Sequence, residues 1–198
     1  MHGDYKFSIS ATTRPPRGNE RDKFDYHFVS DKKFDSMVRN KEFAEWARVF
    51  GHRYGTPFSE IRRSMARCLV LLCDVDVQGG MNLKRNFEEA VTIFIIPPSL
   101  NELKRRLFKR RTDSPAQMNL RLKTAVWEME FWSKYDYVVI NDNLKVAVDE
   151  VDKIIAAERA KTTRRNERRF WKAPQAGLLG LKGTIPGSQV LKLFDNGG

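Results

Sequence analysis

An α/β fold with a mostly parallel sheet is predicted by three features of this chain. Short apolar runs recur at "CLVLLCDV" (Cys68–Val75), "VTIFII" (Val91–Ile96) and "YVVI" (Tyr137–Ile140). They are apolar on both sides, as strands buried on both faces of a parallel sheet are. Helical segments alternate with them, and two of these open on capping boxes.

Taken in order, "KFSIS" (Lys6–Ser10) reads as a further strand. Between Phe24 and Thr56 the pattern changes. "DYHFV" and "FAEWARVF" read as strands with a short helix, "DKKFDSMVR", between them. This segment, 24–56, reads as a small α+β subdomain inserted at the edge of the α/β core. After the Cys68 strand, "QGG" begins a helix. "SLNELKRRLFKRR" starts with Ser99 and Glu102 in capping positions, and Leu100, Leu103 and Leu107 follow at helical spacing. "SPAQMNLRLKTAVWEMEFW" starts with Ser114 and Gln117, with Pro115 at the first helical position. "LKVAVDEVDKIIAAER" places Val148, Val151, Ile154 and Ile155 on one face. The predicted organisation is one domain over 1–159 and a basic C-terminal tail over 160–198, rich in Gly and Pro and expected to be flexible.

The 198 residues are 41% hydrophobic and 31% charged, a soluble globular profile. The net charge of +11 suits a polyanionic partner. Its distribution weakens that inference for the folded part. From Arg159 onward nine Lys and Arg face only Glu167 and Asp195, so seven of the eleven charges belong to the tail. Cys68 and Cys73 sit on or beside one apolar run and read as small buried hydrophobes, with neither a zinc site nor a disulfide framework. No apolar stretch approaches the ~20 residues a bilayer span needs, so no membrane partner is expected. "MHGDYK" lacks the apolar core of a secretory signal, and the expected compartment is the reducing cytoplasm.

"SISATTRPPR" (Ser8–Arg17) packs four hydroxyls and two arginines into ten residues. Alone it would more readily be read as a surface loop. In order with "DYHFV", "EFAEWARVFGHRYGT", "LLCDVDVQG", "IFIIPPSLNELKRRL", "RRTDS" and "YVVINDNL", it resembles the guanylate kinase family over about Lys6 to Arg159. The resemblance implies a P-loop-kinase-like parallel sheet with helices on both faces. It also implies transfer of the terminal phosphate of ATP, with Mg2+, to GMP.

By that resemblance the GMP phosphate is held by Ser10, Arg14, Arg17, Tyr26 and Tyr54. The residue types fit. Arginine meets phosphate with a planar charged fork, and hydroxyls add directional donors. Glu45 matches the family position that accepts the guanine N1 and 2-amino hydrogens, helped by Thr56 and Asp74; read without the family, Glu45 would be a solvated charge. Asp74 and Asp76 end a strand where ligands bind in α/β sheets. Asp76 is expected either to cap that strand end or to act on magnesium through water, with no direct metal ligand. Arg106 and Arg110, one helical turn apart, join Arg121 as the lid (104–125) and catalytic arginines that neutralise the transferring phosphoryl group. By the same resemblance Asn141 lies in the family's "ND" turn, the expected place of the adenine of ATP.

Three departures from the family stand out. Asn19 and Lys23 occupy positions that are usually glycine, which is expected to stiffen the phosphate loop, and Arg111 replaces the glycine of "RGT". The family opens with a strand and a P-loop, G-x-x-x-x-G-K-[ST], whose backbone and lysine hold the ATP phosphates. Met1 stands only five residues before "KFSIS", so that strand, loop and following helix are expected to be absent. "GLLGLKGT" (Gly177–Thr184) places Lys182 before the glycine and does not restore the loop. Weak or absent ATP binding and severely impaired kinase activity are expected. A gap is expected between the strands at Cys68 and Val91, closed up, filled by "SQVLKLF" or leaving a marginal domain; a retained overall shape with a weakened sheet centre is the favoured outcome. The alternative function is a non-catalytic module that binds GMP or a phosphopeptide in the same groove. The tail, with Phe170 and Trp171 among arginines, can also bind RNA by charge and stacking.

Overall fold

The computed structural model describes residues 5–67, 69–109 and 115–161. Cys68, Arg110, Arg111, Ser114 and the tail from 162 onward, including "SQVLKLF", lie outside the described residues. The chain divides into two compact units, 1–144 and 145–198.

The first unit contains two parallel strand pairs and one four-stranded sheet. β1 (Tyr5–Phe7) pairs in parallel with β6 (Val70–Leu72), Tyr5 opposite Val70 and Phe7 opposite Leu72. β7 (Ile93–Ile96) pairs in parallel with β8 (Tyr137–Ile140), Ile93 opposite Tyr137. Among the described residues no ladder joins β6 to β7; the tail segment expected to fill that slot lies outside them. α3 (Val77–Asn86) follows β6. Its Lys84 ammonium donates to Asp136, which also accepts from the Thr92 backbone N–H and hydroxyl, fixing α3 against the starts of β7 and β8. α4 (Leu100–Lys109) and α5 (Pro115–Met129) lie between β7 and β8 in the chain. Ser99 caps α4 by accepting from the Glu102 N–H, as its capping box predicts.

The four-stranded sheet runs β3–β2–β5–β4, with β2 at Ala11–Thr12, β3 at His27–Phe28, β4 at Phe43–Val49 and β5 at His52–Pro57. It extends the 24–56 segment by drawing in Ala11 and Thr12. β4 alternates after its bulge: Glu45 and Ala47 are buried, Trp46 and Arg48 exposed. Phe50 and Gly51 both take positive φ, 48° and 84°, as a two-residue type I′ hairpin requires, and bring Val49 opposite His52. α1 (Asp31–Arg39), capped by Ser30, lays Phe34 on Phe43 at 4.6 Å between ring centres, and Ala11 and Met37 complete this core.

β5 and the following α2 (Phe58–Ala66) were not predicted as elements. Gly55 and Pro57 break the β5 pattern, and α2 begins without a side-chain cap. α2 nevertheless carries the best-buried carboxylate of the described residues. Glu60 accepts from the Lys6 ammonium at 2.9 Å and from Arg63 at 3.0 Å, tying α2 to β1.

In the second unit, α6 (Leu144–Ala160) buries Ala147, Ile155 and Glu158. The predicted stripe shifts accordingly. Val148 is half-exposed, because it lies about 100° around the helix from Ala147. Among the described residues no helix is long and apolar enough to cross a membrane.

Candidate functional site

A cleft of about 320 Å³ opens between the four-stranded sheet and the carboxyl end of β6. Six of the predicted residues line it: Ser10, Tyr26, Glu45, Tyr54, Asp74 and Asp76. The elements explain how they meet. Ser10 leads into β2, Tyr26 into β3, and Tyr54 lies on β5, next to β2 in the sheet; Glu45 faces inward from β4. Asp74 and Asp76 follow β6.

Glu45 is 7% exposed, and burial pushes its carboxyl pKa above the ordinary value. Thr56, fully buried on β5, opposes this. Its backbone N–H and hydroxyl donate to Glu45 Oε1 at 3.1 and 2.7 Å. Thr56 therefore serves the cleft by fixing the carboxylate. Asp76 caps α3, accepting from the Gly79 N–H at 2.8 Å, and burial raises its pKa as well. Asp76 thus caps the start of α3 rather than the end of β6, which stops at Leu72, and among the described residues no group of three ligating side chains could hold a metal.

Arg14 lies beside the cleft with its guanidinium buried. It donates from Nη1 and Nη2 to the two oxygens of Glu20, and from Nε to the Tyr54 hydroxyl. It also sits 5.4 Å from the centre of the Tyr26 ring. Tyr26 is pushed up in pKa by burial first and then by the nearby Asp74 charge. The Arg17 side chain is exposed, and its backbone N–H donates to Glu20. Glu20 is the residue sequence reasoning missed. The signal was available: Pro15, Pro16 and Gly18, with φ 52° at Gly18, form a turn that returns Glu20 to Arg14.

Of the predicted arginines, the two that are described, Arg106 and Arg121, do not line this cleft. Arg106 lies in a second cleft of about 200 Å³ with Asn141, donating to the Asn141 carbonyl at 2.8 Å and to Glu102 at 2.6 Å. Apolar Ile95, Ile96 and Leu107 line the rest of it. Arg121 lies 4.7 Å over the Phe50 ring at the β4–β5 hairpin tip. Arg110 is outside the described residues.

Comparison with known proteins bears on the family and the fold. The profile of the family described as "Guanylate kinase" matches residues 2–158. A guanylate kinase of Myxococcus xanthus is 46% identical over 162 residues, covering 81% of this chain and 78% of that protein. One of Thermus thermophilus is 46% identical over 161 residues, covering 81% and 73%. The crystal structure of guanylate kinase from Anaplasma phagocytophilum superposes with a TM-score of 0.73 at 33% identity, covering 84% of this chain and 82% of that one. With a family match over most of its length, relatives well above 30% identity and the same fold, this chain belongs to the guanylate kinase family.

Proposed function

We propose that the chain binds GMP in the first cleft and belongs to the ATP-dependent phosphorylation of GMP to GDP, and that these 198 residues catalyse that step weakly. One observation carries the GMP reading: Thr56 holds the Glu45 carboxylate in the same cleft as Ser10, Tyr26 and Tyr54. A carboxylate accepts the N1–H and 2-amino hydrogens of guanine as a pair, and adenine presents no such pair. The hydroxyls with Arg14 and Arg17 then take the phosphate. In the transfer, a GMP phosphate oxygen forms the new bond to the γ-phosphorus of ATP as the bond to ADP breaks. Arg106, Arg110 and Arg121 offset the charge that develops. Asn141 and its apolar cleft suit the adenine.

The weak step follows from the sequence as it stands, which contains no G-x-x-x-x-G-K-[ST] to hold the ATP phosphates. Mg2+ is expected to come with ATP, with Asp76 acting on it through water. Calorimetric titration with GMP, AMP and MgATP tests the reading. GMP is expected to bind, AMP not, and MgATP weakly or not at all. Equal binding of AMP and GMP would remove the base-recognition role of Glu45. Turnover at a rate ordinary for these enzymes would remove the impairment.

The donors of the first cleft also support a second reading, a non-catalytic binding module. Ser10, Arg14, Arg17 and Tyr26 suit a phosphoserine as well as a nucleotide phosphate. A phosphoserine peptide that competes with GMP would support it.

A further inference from the structure

The Glu45 carboxylate leaves β4 directly after a β-bulge. Phe43 lies opposite Pro57 and Glu45 opposite Thr56, so Ala44 is the extra residue, with no opposite number on β5. A bulge re-aims the side chain that follows it, and what fixes the bulge fixes that aim. Here the fixing group comes from another element. Asn86, the last residue of α3, donates from Nδ2 to the Ala44 carbonyl at 2.8 Å. Ala44 is 2% exposed, so its carbonyl is costly to leave without a donor. Gly79, Leu83 and Asn86 recur at i, i+4 and i+7 and so share one face of α3. Both ends of that face meet the same stretch of β4. Gly79 comes so close to the Glu45 side chain that a Cβ would stand 2.9 Å from Oε2, and Asn86 grips the backbone one residue earlier. Asn86 itself does not line the cleft.

We propose that Asn86 is a positioning residue for base selection: by pinning the bulge at Ala44 it holds the Glu45 carboxylate at the angle that accepts two guanine hydrogens at once. This rests on the GMP reading above. Thr56 fixes Glu45 Oε1 from β5, but that hold alone lets the carboxylate swing about the bonded oxygen. The backbone from which the side chain hangs decides where Oε2 points. Guanine, with an N1–H and a 2-amino group, needs the carboxylate aimed at both donors. Hypoxanthine, with the N1–H alone, needs it aimed at one. Loosening the bulge therefore costs guanine more than hypoxanthine, whereas a residue that only stabilised the fold would affect the two alike.

The test is calorimetric titration of the full chain, N86A and N86D with GMP and with IMP, which differ by the 2-amino group. Aspartate keeps the size of asparagine and, when ionised, has no proton to donate. The parent is expected to prefer GMP. In both variants GMP affinity is expected to fall about tenfold and IMP affinity by no more than about threefold, so that the preference narrows. The ratio is insensitive to a weakened fold, because partial unfolding lowers both apparent affinities by the same factor. A parent that prefers GMP, with variants that keep that preference in full, would overturn the role of Asn86 and leave the GMP reading standing, whether both affinities fall together or neither moves. A parent that binds the two alike, or neither, would overturn the GMP reading and this inference with it.

Discussion

Gly79 owes its identity to the carboxylate facing it. A Cβ there would lie 2.9 Å from Glu45 Oε2, 3.0 Å from Val75 Cβ and 3.2 Å from Asp76 Oδ1. Glu45 cannot simply withdraw, because Thr56 holds its other oxygen from two donors. Val75 Cβ moves only with its backbone. Alanine at a helix position would by propensity alone stabilise α3 by about 1 kcal/mol relative to glycine. The sign of the change in G79A is therefore diagnostic. We expect the clash to prevail, with a net loss of about 1 kcal/mol in urea unfolding and about tenfold weaker GMP binding by calorimetry. A stabilised protein that binds GMP like the parent would show that the carboxylate relaxes freely.

At the scale of elements, the tie between α2 and β1 rests on one buried acid. Burial alone would push the Glu60 pKa up, but Lys6, the Ile9 N–H and Arg63 more than offset it and bring it below the usual value of 4.5. Its stabilising contribution is then present above pH 4.5 and lost as pH falls through the lower, folded-state pKa. E60Q removes the charge and is expected to cost about 2 kcal/mol at neutral pH. That is less than a fully buried pair costs, because Lys6 and Arg63 can reach water. The variant should also lose less stability than the parent on acidification, and urea unfolding at neutral and acid pH checks both. Neither α2 nor this tie was legible in the sequence, since Glu60 lies in a segment with no cap and a charged middle. α4 and β8 were legible, because Ser99 with Glu102 and the unbroken "YVVI" are local signals. The site was legible in its residue types through motif order. The sharing out of Arg14 between Glu20, Pro15 and Tyr54 was not, because it depends on contacts between β2, the turn and β5 that no local pattern encodes.

For the molecule as a whole, the decisive feature is that β1–β6 and β7–β8 stand, among the described residues, as two separate two-stranded parallel sheets. β1–β6 is braced by Glu60 from α2, and β7–β8 by Asp136, Thr92 and Lys84. Among the described residues no ladder joins β6 to β7, so no hydrogen bond between those two strands transmits opening from one pair to the other. Cooperative units in proteins tend to follow such motif boundaries. Native-state hydrogen exchange is expected to report two free energies of opening, one shared by the amides of β1 and β6 and another by those of β7 and β8. E60Q, acting through the α2–β1 tie, should lower the first and leave the second within about 0.5 kcal/mol. GMP should raise protection on the β6 side, where Asp74 and Asp76 line the cleft. A single opening energy for all four strands, lowered equally by E60Q, would mean that the side-chain core couples the pairs as firmly as a continuous sheet would.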